Sequence, residues 1–263
     1  MVQHMSLRQP VMRYENKELV EIDDEIVLEF PITIHVNGEE FATMVCTPTH
    51  LDELIIGFLA SEGLIFFKDD ITDLQIDEHA GHAHVNLKSK APTNQQFYSK
   101  RLIGSCCGKS RQFYFQNDAR TAKTSMSTSK IHAEACIQLM NQLQDNSIVF
   151  KHTGGVHNAA LCTTSNLIVD RADIGRHNAL DKIYGYCMMN KIPARNNVIV
   201  FSGRISSEVL LKAAKIGVGI VLSKSAPTDL AIELADDLNI TTVGFIRGES
   251  FNVYSHPERI INT

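Results

Sequence analysis

The second half of the chain carries the pattern that most constrains the fold, because three apolar runs alternate there with two amphipathic segments. The runs are short and rich in β-branched residues, whereas the segments repeat apolar residues at helical spacing. In chain order they are 198–201, 206–216, 218–222, 228–238 and 241–246. This βαβαβ order predicts a parallel sheet covered by helices on both faces, and hence an α/β fold.

A polar loop follows each predicted strand, at residues 202–204, 223–225 and 247–249. In an open α/β sheet, the loops at the carboxyl ends of the strands form the ligand crevice. We therefore expect the site of this protein to be built by these loops.

The first half predicts a smaller unit. Alternating apolar and polar residues from Glu25 to Cys46, centred on Asn37-Gly38, are typical of a β-hairpin. Thr49 and Asp52 resemble a capping box and open a helical pattern that ends at Gly63. The Ser- and Thr-rich stretch 121–130 is a candidate linker, so we predict an N-terminal α+β domain over 1–125 and an α/β domain over 126–263.

Composition narrows the possible partners and the compartment. The 25 Lys and Arg residues against 30 Asp and Glu give a formal charge of −5, so no global attraction to nucleic acid or anionic lipid is expected. The longest apolar run, 216–222, is too short to span a bilayer, which favours a cytoplasmic protein. Six scattered cysteines are expected to be reduced thiols.

Two adjacent cysteines form the sharpest local feature, the segment GSCCGK at 104–109. Nearby cations such as Lys109 and Arg111 lower the pKa of a thiol, and the thiolate is the reactive form. Cys106 or Cys107 is therefore a candidate nucleophile, although buried free cysteines are also common. A relaxed disulfide between neighbours is excluded by geometry.

Two further segments have a structural and a functional interpretation. Arg176 and His177 precede a helical pattern, so they are expected near a helix N-terminus, where free amides favour anions. His132 and Glu134 match half of the zinc deaminase signature, but no Pro-Cys-x-x-Cys half follows. An ordinary helix is the better interpretation, and no metal site is predicted.

Together these segments resemble the FdhD family over nearly the whole chain. After 31–38 and 57–63, the closest stretches are TGGVH at 153–157, DIGRHNALDK at 173–182, SGR at 202–204, KSAPT at 224–228 and FNVYSHPER at 251–259. The resemblance implies a three-layer core similar to the cytidine deaminase fold, without its zinc chemistry, and a smaller N-terminal domain.

The resemblance also implies a function. FdhD proteins are sulfurtransferases that accept persulfide sulfur from a cysteine desulfurase and pass it to the molybdenum cofactor of formate dehydrogenase. It makes Cys107 the expected sulfur carrier. The family pattern has two cysteines separated by two residues, whereas Cys106 and Cys107 are adjacent here, so Cys106 remains an alternative carrier.

The implied cofactor is the bis-molybdopterin guanine dinucleotide form. Its expected site is the family segment matched by Phe245, Ile246, Arg247, Gly248, Glu249 and Ser250. Further hypothetical phosphate or base contacts are Arg176, His177, Arg204 and Lys224. A homodimer is expected by resemblance. Two alternatives stay open, namely a non-catalytic chaperone of the cofactor and a zinc deaminase.

Overall fold

The computed structural model describes residues 5–89, the backbone of 101–103, and residues 122–262. The helices are α1 (Leu51–Ser61), α2 (Ala133–Asn146), α3 (Ile148–Thr153), α4 (Arg176–Met189), α5 (Ser207–Ile216) and α6 (Asp229–Asp237). The strands of the first half are β1 (Ser6–Glu15), β2 (Glu18–Val27), β3 (Phe30–Val36), β4 (Glu39–Cys46), β5 (Ile71–Asp77), β6 (His82–Leu87) and β7 (Arg101–Ile103). Those of the second half are β8 (Ile131–His132), β9 (His157–Cys162), β10 (Leu167–Asp173), β11 (Val198–Phe201), β12 (Ile220–Ser223), β13 (Thr241–Arg247), β14 (Ser250–Ser255) and β15 (Ile260–Ile261).

A six-stranded sheet in the order β10-β9-β11-β12-β13-β14 organises the second half. Its centre confirms the predicted βαβαβ unit, because β11 pairs in parallel with β12 and β12 with β13. The flanking strands β9 and β14 pair antiparallel with this unit. The α/β class is thus confirmed, with a mixed rather than a purely parallel sheet.

Helices cover both faces of this sheet. Helices α4, α5 and α6 share a core with one face, which includes Ile199, Phe201 and Val221. Helix α2 shares a core with the opposite face, which includes Val200 and Leu222. The central strands are apolar on both sides for this reason, as is usual for parallel strands buried between two helical layers.

The first half contains a five-stranded sheet in the order β5-β6-β3-β4-β7, packed against α1. The predicted hairpin is confirmed as β3 and β4, and its turn places Asn37 and Gly38 at φ 51° and 86°. The predicted capping box is wrong. Helix α1 has His50 as its N-cap in a left-handed conformation, without a side-chain cap hydrogen bond.

Helices α1 and α4 join the two halves at a close crossing. A Cβ atom on Gly57 would lie 1.8 Å from the Asp181 carbonyl oxygen, and one on Gly185 would lie 1.9 Å from the Glu53 carbonyl oxygen. Glycine therefore lets the two helix backbones touch, as it does wherever backbones approach closely.

The predicted linker does not lie free in solvent where it is described. Residues 122–130 have no regular secondary structure, yet Ser125 and Ser127 are buried. The Ser125 N–H donates to the Leu238 carbonyl oxygen, and Ser127 lies so close to Gly219 that a Cβ there would be 2.4 Å from the serine Cβ. Small residues are needed where Ser127 and Gly219 touch. The domain boundary at 125/126 stays a prediction.

His132 of the H-x-E segment is the N-cap of α2, whose Glu134 is exposed and whose Cys136 is buried. Thr228 is the N-cap of α6, the helix that follows Pro227. Within the described ranges, no helix is long and apolar enough to cross a membrane.

Candidate functional site

Three helix N-termini meet at one edge of the six-stranded sheet, which is the edge formed by the carboxyl ends of its parallel strands. Helices α5 and α6 follow β11 and β12, so both begin at the carboxyl ends of these parallel strands. Helix α4 follows β10, whose last residue, Asp173, pairs with His157 of β9 at the same edge. Free N–H groups and helix dipoles give such an edge a positive potential, which favours an anionic ligand.

Arg176 and His177 open α4 at this edge, as the sequence predicted. The His177 Nε2 atom lies 3.1 Å from the Glu208 carboxylate of α5, at ion-pair distance but without an aligned hydrogen bond. The close His177 ring lowers the pKa of Glu208. The Arg176 Nε atom is buried and has no hydrogen-bond partner in the described part of the chain. A bound anion would supply the missing acceptor.

His157 belongs to the same cluster, although it is not among the site residues predicted from the sequence. Burial, with the charges of Arg176 and His177, lowers the pKa of His157, so its imidazole is neutral at pH 7. A Cβ atom on Gly203 would lie 3.4 Å from the His157 Nδ1 atom and 3.0 Å from the Phe201 ring. In the sequence, the glycine pair before His157 is the feature that could have pointed to this residue. The pairing of β9 with β11 is what brings His157 to the site.

The loops after β11 and β12 are tied to one another by serine side chains. The Ser223 hydroxyl donates to the Gly203 carbonyl oxygen at 2.7 Å and accepts from the Ser225 N–H at 2.9 Å. Lys224 turns toward α2, where its Nζ atom donates to the Gln144 side chain at 2.6 Å. Arg204 is exposed on the loop that leads into α5. The two loops are therefore connected by hydrogen bonds, and each carries one cation, Arg204 on the first and Lys224 on the second.

The segment 245–250 forms the end of β13 and the turn into β14. Phe245 has a φ of 55° and is 39% exposed, and its N–H donates to the Ser225 carbonyl oxygen at 3.3 Å. The Arg247 guanidinium lies 5.3 Å from the centre of the Phe245 ring. Ile246 is buried, whereas Gly248, Glu249 and Ser250 are exposed. An exposed aromatic ring beside an arginine offers a surface on which a planar base can stack.

The structure thus brings the predicted residues to one sheet edge in two groups. Arg176 and His177 lie with α4 and α5, while Lys224 and residues 245–250 lie around the loops after β12 and β13. Contact of any of these residues with a cofactor stays a prediction.

Asp173, in the segment 173–182, has a structural role. One Asp173 oxygen accepts from the Gly175 N–H at 2.8 Å and from the Asn178 amide at 2.9 Å. The other oxygen pairs with the Lys182 ammonium at 2.7 Å and accepts from the Thr47 N–H at 3.0 Å. Asp173 therefore holds the start of α4 in place and anchors it to the first half of the chain.

Cys106 and Cys107 lie outside the described residues. The four described cysteines, Cys46, Cys136, Cys162 and Cys187, are free and buried. Burial raises the pKa of each of these four thiols to about 12. They are protonated at neutral pH and therefore poor nucleophiles.

Comparison with known proteins identifies the family. The model of the FdhD/NarQ family matches residues 27–261. The chain belongs to the FdhD/NarQ family. It is 59% identical over 263 residues to a protein of Halalkalibacterium halodurans named sulfur carrier protein FdhD, covering 99% of this chain and 97% of that protein. A Bacillus subtilis relative of the same name is 60% identical over 95% of both chains.

The fold of this FdhD/NarQ family member also matches a solved structure. A Desulfotalea psychrophila protein, described as a candidate formate dehydrogenase accessory protein, superposes with a TM-score of 0.79 at 24% identity. The match covers 98% of this chain and 100% of that protein, so the fold described above is shared along the whole chain.

Proposed function

We propose that this protein is a sulfur carrier that accepts persulfide sulfur from a cysteine desulfurase and transfers it to the molybdenum cofactor required by formate dehydrogenase. The proposal rests above all on the 59% identity, over 99% of the chain, to a protein named sulfur carrier protein FdhD. We further propose that it acts in the cytoplasm and that its three-layer core is of the cytidine deaminase type.

The carrier thiol is proposed to be Cys107, with Cys106 as the alternative. Sulfur transfer needs a thiolate, and the raised pKa of the four described cysteines argues against each of them. The Cys107 thiolate would attack the outer sulfur of the donor persulfide, forming a new S–S bond as the donor leaves as a thiolate. Cys107 would then hold this sulfur as a persulfide and present it to the molybdenum cofactor, which is the proposed acceptor substrate.

The residues at the sheet edge fit an anionic dinucleotide. The buried Arg176 Nε atom lacks a partner among the described residues, and three helix N-termini point toward the same edge. Arg176, His177 and Arg204 would hold phosphate groups, Lys224 would supply a further cation, and the Phe245–Arg247 pair would receive a guanine base.

The first test is mass spectrometry of the protein after incubation with a cysteine desulfurase and cysteine. We expect one added sulfur, of about 32 Da for a persulfide, mapped to Cys107 and absent from Cys107→Ala. Cys187→Ala, which removes a buried thiol, is the matched control and should still gain sulfur. Sulfur on Cys106 would assign the carrier to the alternative residue.

Absence of added sulfur on both cysteines would contradict the carrier function and favour a non-catalytic chaperone of the cofactor. That alternative makes its own prediction. Formate dehydrogenase maturation would survive replacement of both Cys106 and Cys107 by alanine, whereas a sulfur carrier would lose it.

The second test concerns the cofactor site and uses GDP as a probe of the guanine dinucleotide. Calorimetry should show that Arg176→Ala or Arg204→Ala weakens GDP binding by about 10- to 100-fold, the usual effect of losing a charge-assisted hydrogen bond. Arg195→Ala is the control, because Arg195 precedes β11 at the opposite edge of the sheet and binds the Met126 carbonyl oxygen. If Arg176→Ala and Arg204→Ala both bind GDP as tightly as the wild type does, neither residue belongs to the site.

A further inference from the structure

A cluster of three histidines lies on the five-stranded sheet of the first half. His82 and His84 are two residues apart on β6, so their side chains project from the same face of the sheet. His35 of β3 pairs with His84 in the parallel register of the two strands. The alternate residues Ile34 and Ala83 are buried in the core against α1, so the histidines occupy the opposite face.

The three rings contact one another. The His35 Nε2 atom lies 3.2 Å from the His82 Nδ1 atom. The ring centres of His35 lie 5.3 Å from that of His82 and 4.8 Å from that of His84, and those of His82 and His84 are 6.3 Å apart. The ring centres therefore form a compact triangle.

These distances are those of imidazoles that share one metal ion. A zinc ion binds histidine nitrogens at about 2.0–2.1 Å in a tetrahedral arrangement, which sets two such nitrogens about 3.3 Å apart. The ring centres of two such ligands then lie about 5 Å apart. The nitrogen pair of His35 and His82 fits the first distance, and the triangle of ring centres fits the second.

One ring needs to turn before all three can bind the same ion. The His84 ring is stacked on that of His35 with an interplanar angle of 24°, and among the described residues no three side chains converge on a metal position. The χ2 torsion of histidine has broad minima, and its axis passes close to the ring centre. Rotation about χ2 therefore turns a nitrogen of the exposed His84 toward the other two rings and keeps the spacing of the ring centres.

Carboxylates flank the cluster on both sides. Glu40 of β4 lies opposite His35, and Asp77 of β5 lies opposite His82. Opposite residues of antiparallel strands have Cβ atoms about 4.5–5.5 Å apart. Their negative charges favour a cation at the cluster, and a carboxylate that accepts the second ring N–H of a ligating histidine holds its orientation.

We infer that His35, His82 and His84 bind a divalent transition metal ion of the zinc type. His35 binds through Nε2 and His82 through Nδ1, and each imidazole stays neutral with its proton on the other ring nitrogen. Three histidines leave the fourth position of a tetrahedral ion to water. This site is separate from His132 and Glu134 of the zinc deaminase half-signature, and it does not depend on sulfur transfer.

Calorimetry with Zn²⁺ alone tests the site. The parent protein is the full chain with Cys106→Ala/Cys107→Ala and without a polyhistidine tag, because thiolates and tags also bind zinc. We expect about one zinc ion per chain. His35→Gln and His82→Asn should each weaken binding by at least about tenfold, since their amides keep a hydrogen-bonding group near the lost nitrogen but do not replace imidazole as a ligand.

His84→Ala should weaken zinc binding to a similar extent, and its exposed position makes it the variant that least disturbs the sheet. Excess zinc should raise the Tm of the parent by more than that of the three variants, because a ligand stabilises the native state in proportion to its binding. Circular dichroism without zinc verifies that the variants are folded.

His132→Gln is the matched control, because His132 is also exposed but lies at the start of α2 and makes no side-chain cap hydrogen bond. It should bind zinc as the parent does. The inference would be overturned by a parent that binds no zinc, by unchanged affinity in any of the three cluster variants, or by an equal loss in His132→Gln.

Discussion

Lys182 and Asp173 form an ion pair in which neither side chain has exposed surface, with 2.7 Å between Nζ and Oδ2. The same ammonium donates to the Thr47 hydroxyl at 2.7 Å. Removing two charges from water costs several kcal/mol for each ion, so this pair is tolerated because every lone pair and proton around it finds a partner. At the scale of residues, the pair ties the start of α4 to the N-terminal half.

We therefore predict that Lys182→Met lowers the free energy of unfolding by about 3–5 kcal/mol, because it leaves the Asp173 carboxylate buried without its cation. Asp173→Asn should also destabilise, and the double variant should lose less than the sum of the single losses. Urea denaturation of the four proteins measures this coupling. A loss below about 1 kcal/mol in Lys182→Met would show that the pair is solvated rather than buried.

At the scale of elements, α4 is the central helix of the molecule. Asn178, Asp181, Lys182 and Gly185 recur at the spacing of one helix face and are all buried. They meet the first half of the chain, with Asp181 accepting from the Ser61 hydroxyl at 2.7 Å and pairing with Lys212 of α5. The opposite face packs on the six-stranded sheet through residues such as Leu180 and Ile183.

The crossing of α1 over α4 yields a prediction at this scale. Gly185→Ala should destabilise the protein by about 3 kcal/mol, because the added methyl group meets the Glu53 carbonyl oxygen and backbone cannot move aside easily. In an open helix position the same change stabilises by up to about 1 kcal/mol. Thermal and urea denaturation measure the effect, and Met189→Ala at the exposed end of α4 is the control. A stabilised Gly185→Ala protein would contradict the close crossing.

At the scale of the whole molecule, two sheets with separate cores are joined through α1 and α4. The sheet edge with three helix N-termini lies at the carboxyl ends of the parallel strands of the second sheet and suits an anion.

Local sequence determined much of this architecture. The βαβαβ unit, the β3–β4 hairpin around Asn37-Gly38 and the position of Arg176 and His177 at a helix start all follow from patterns within about 20 residues. Such features depend on hydrophobic period and turn chemistry, which neighbouring residues fix by themselves. The family resemblance also came from short segments and is confirmed by the family match over 27–261.

Only the tertiary structure decided which polar residues serve the site and which serve the core. Asp173 and Lys182 belong to the same short segment as Arg176, yet they are buried in an ion pair, while the buried Arg176 Nε atom has no hydrogen-bond partner among the described residues. His157 enters the site only because β9 pairs with β11. Burial and pairing of this kind depend on partners that lie more than 100 residues away, such as Thr47 for Asp173, and no local pattern encodes them.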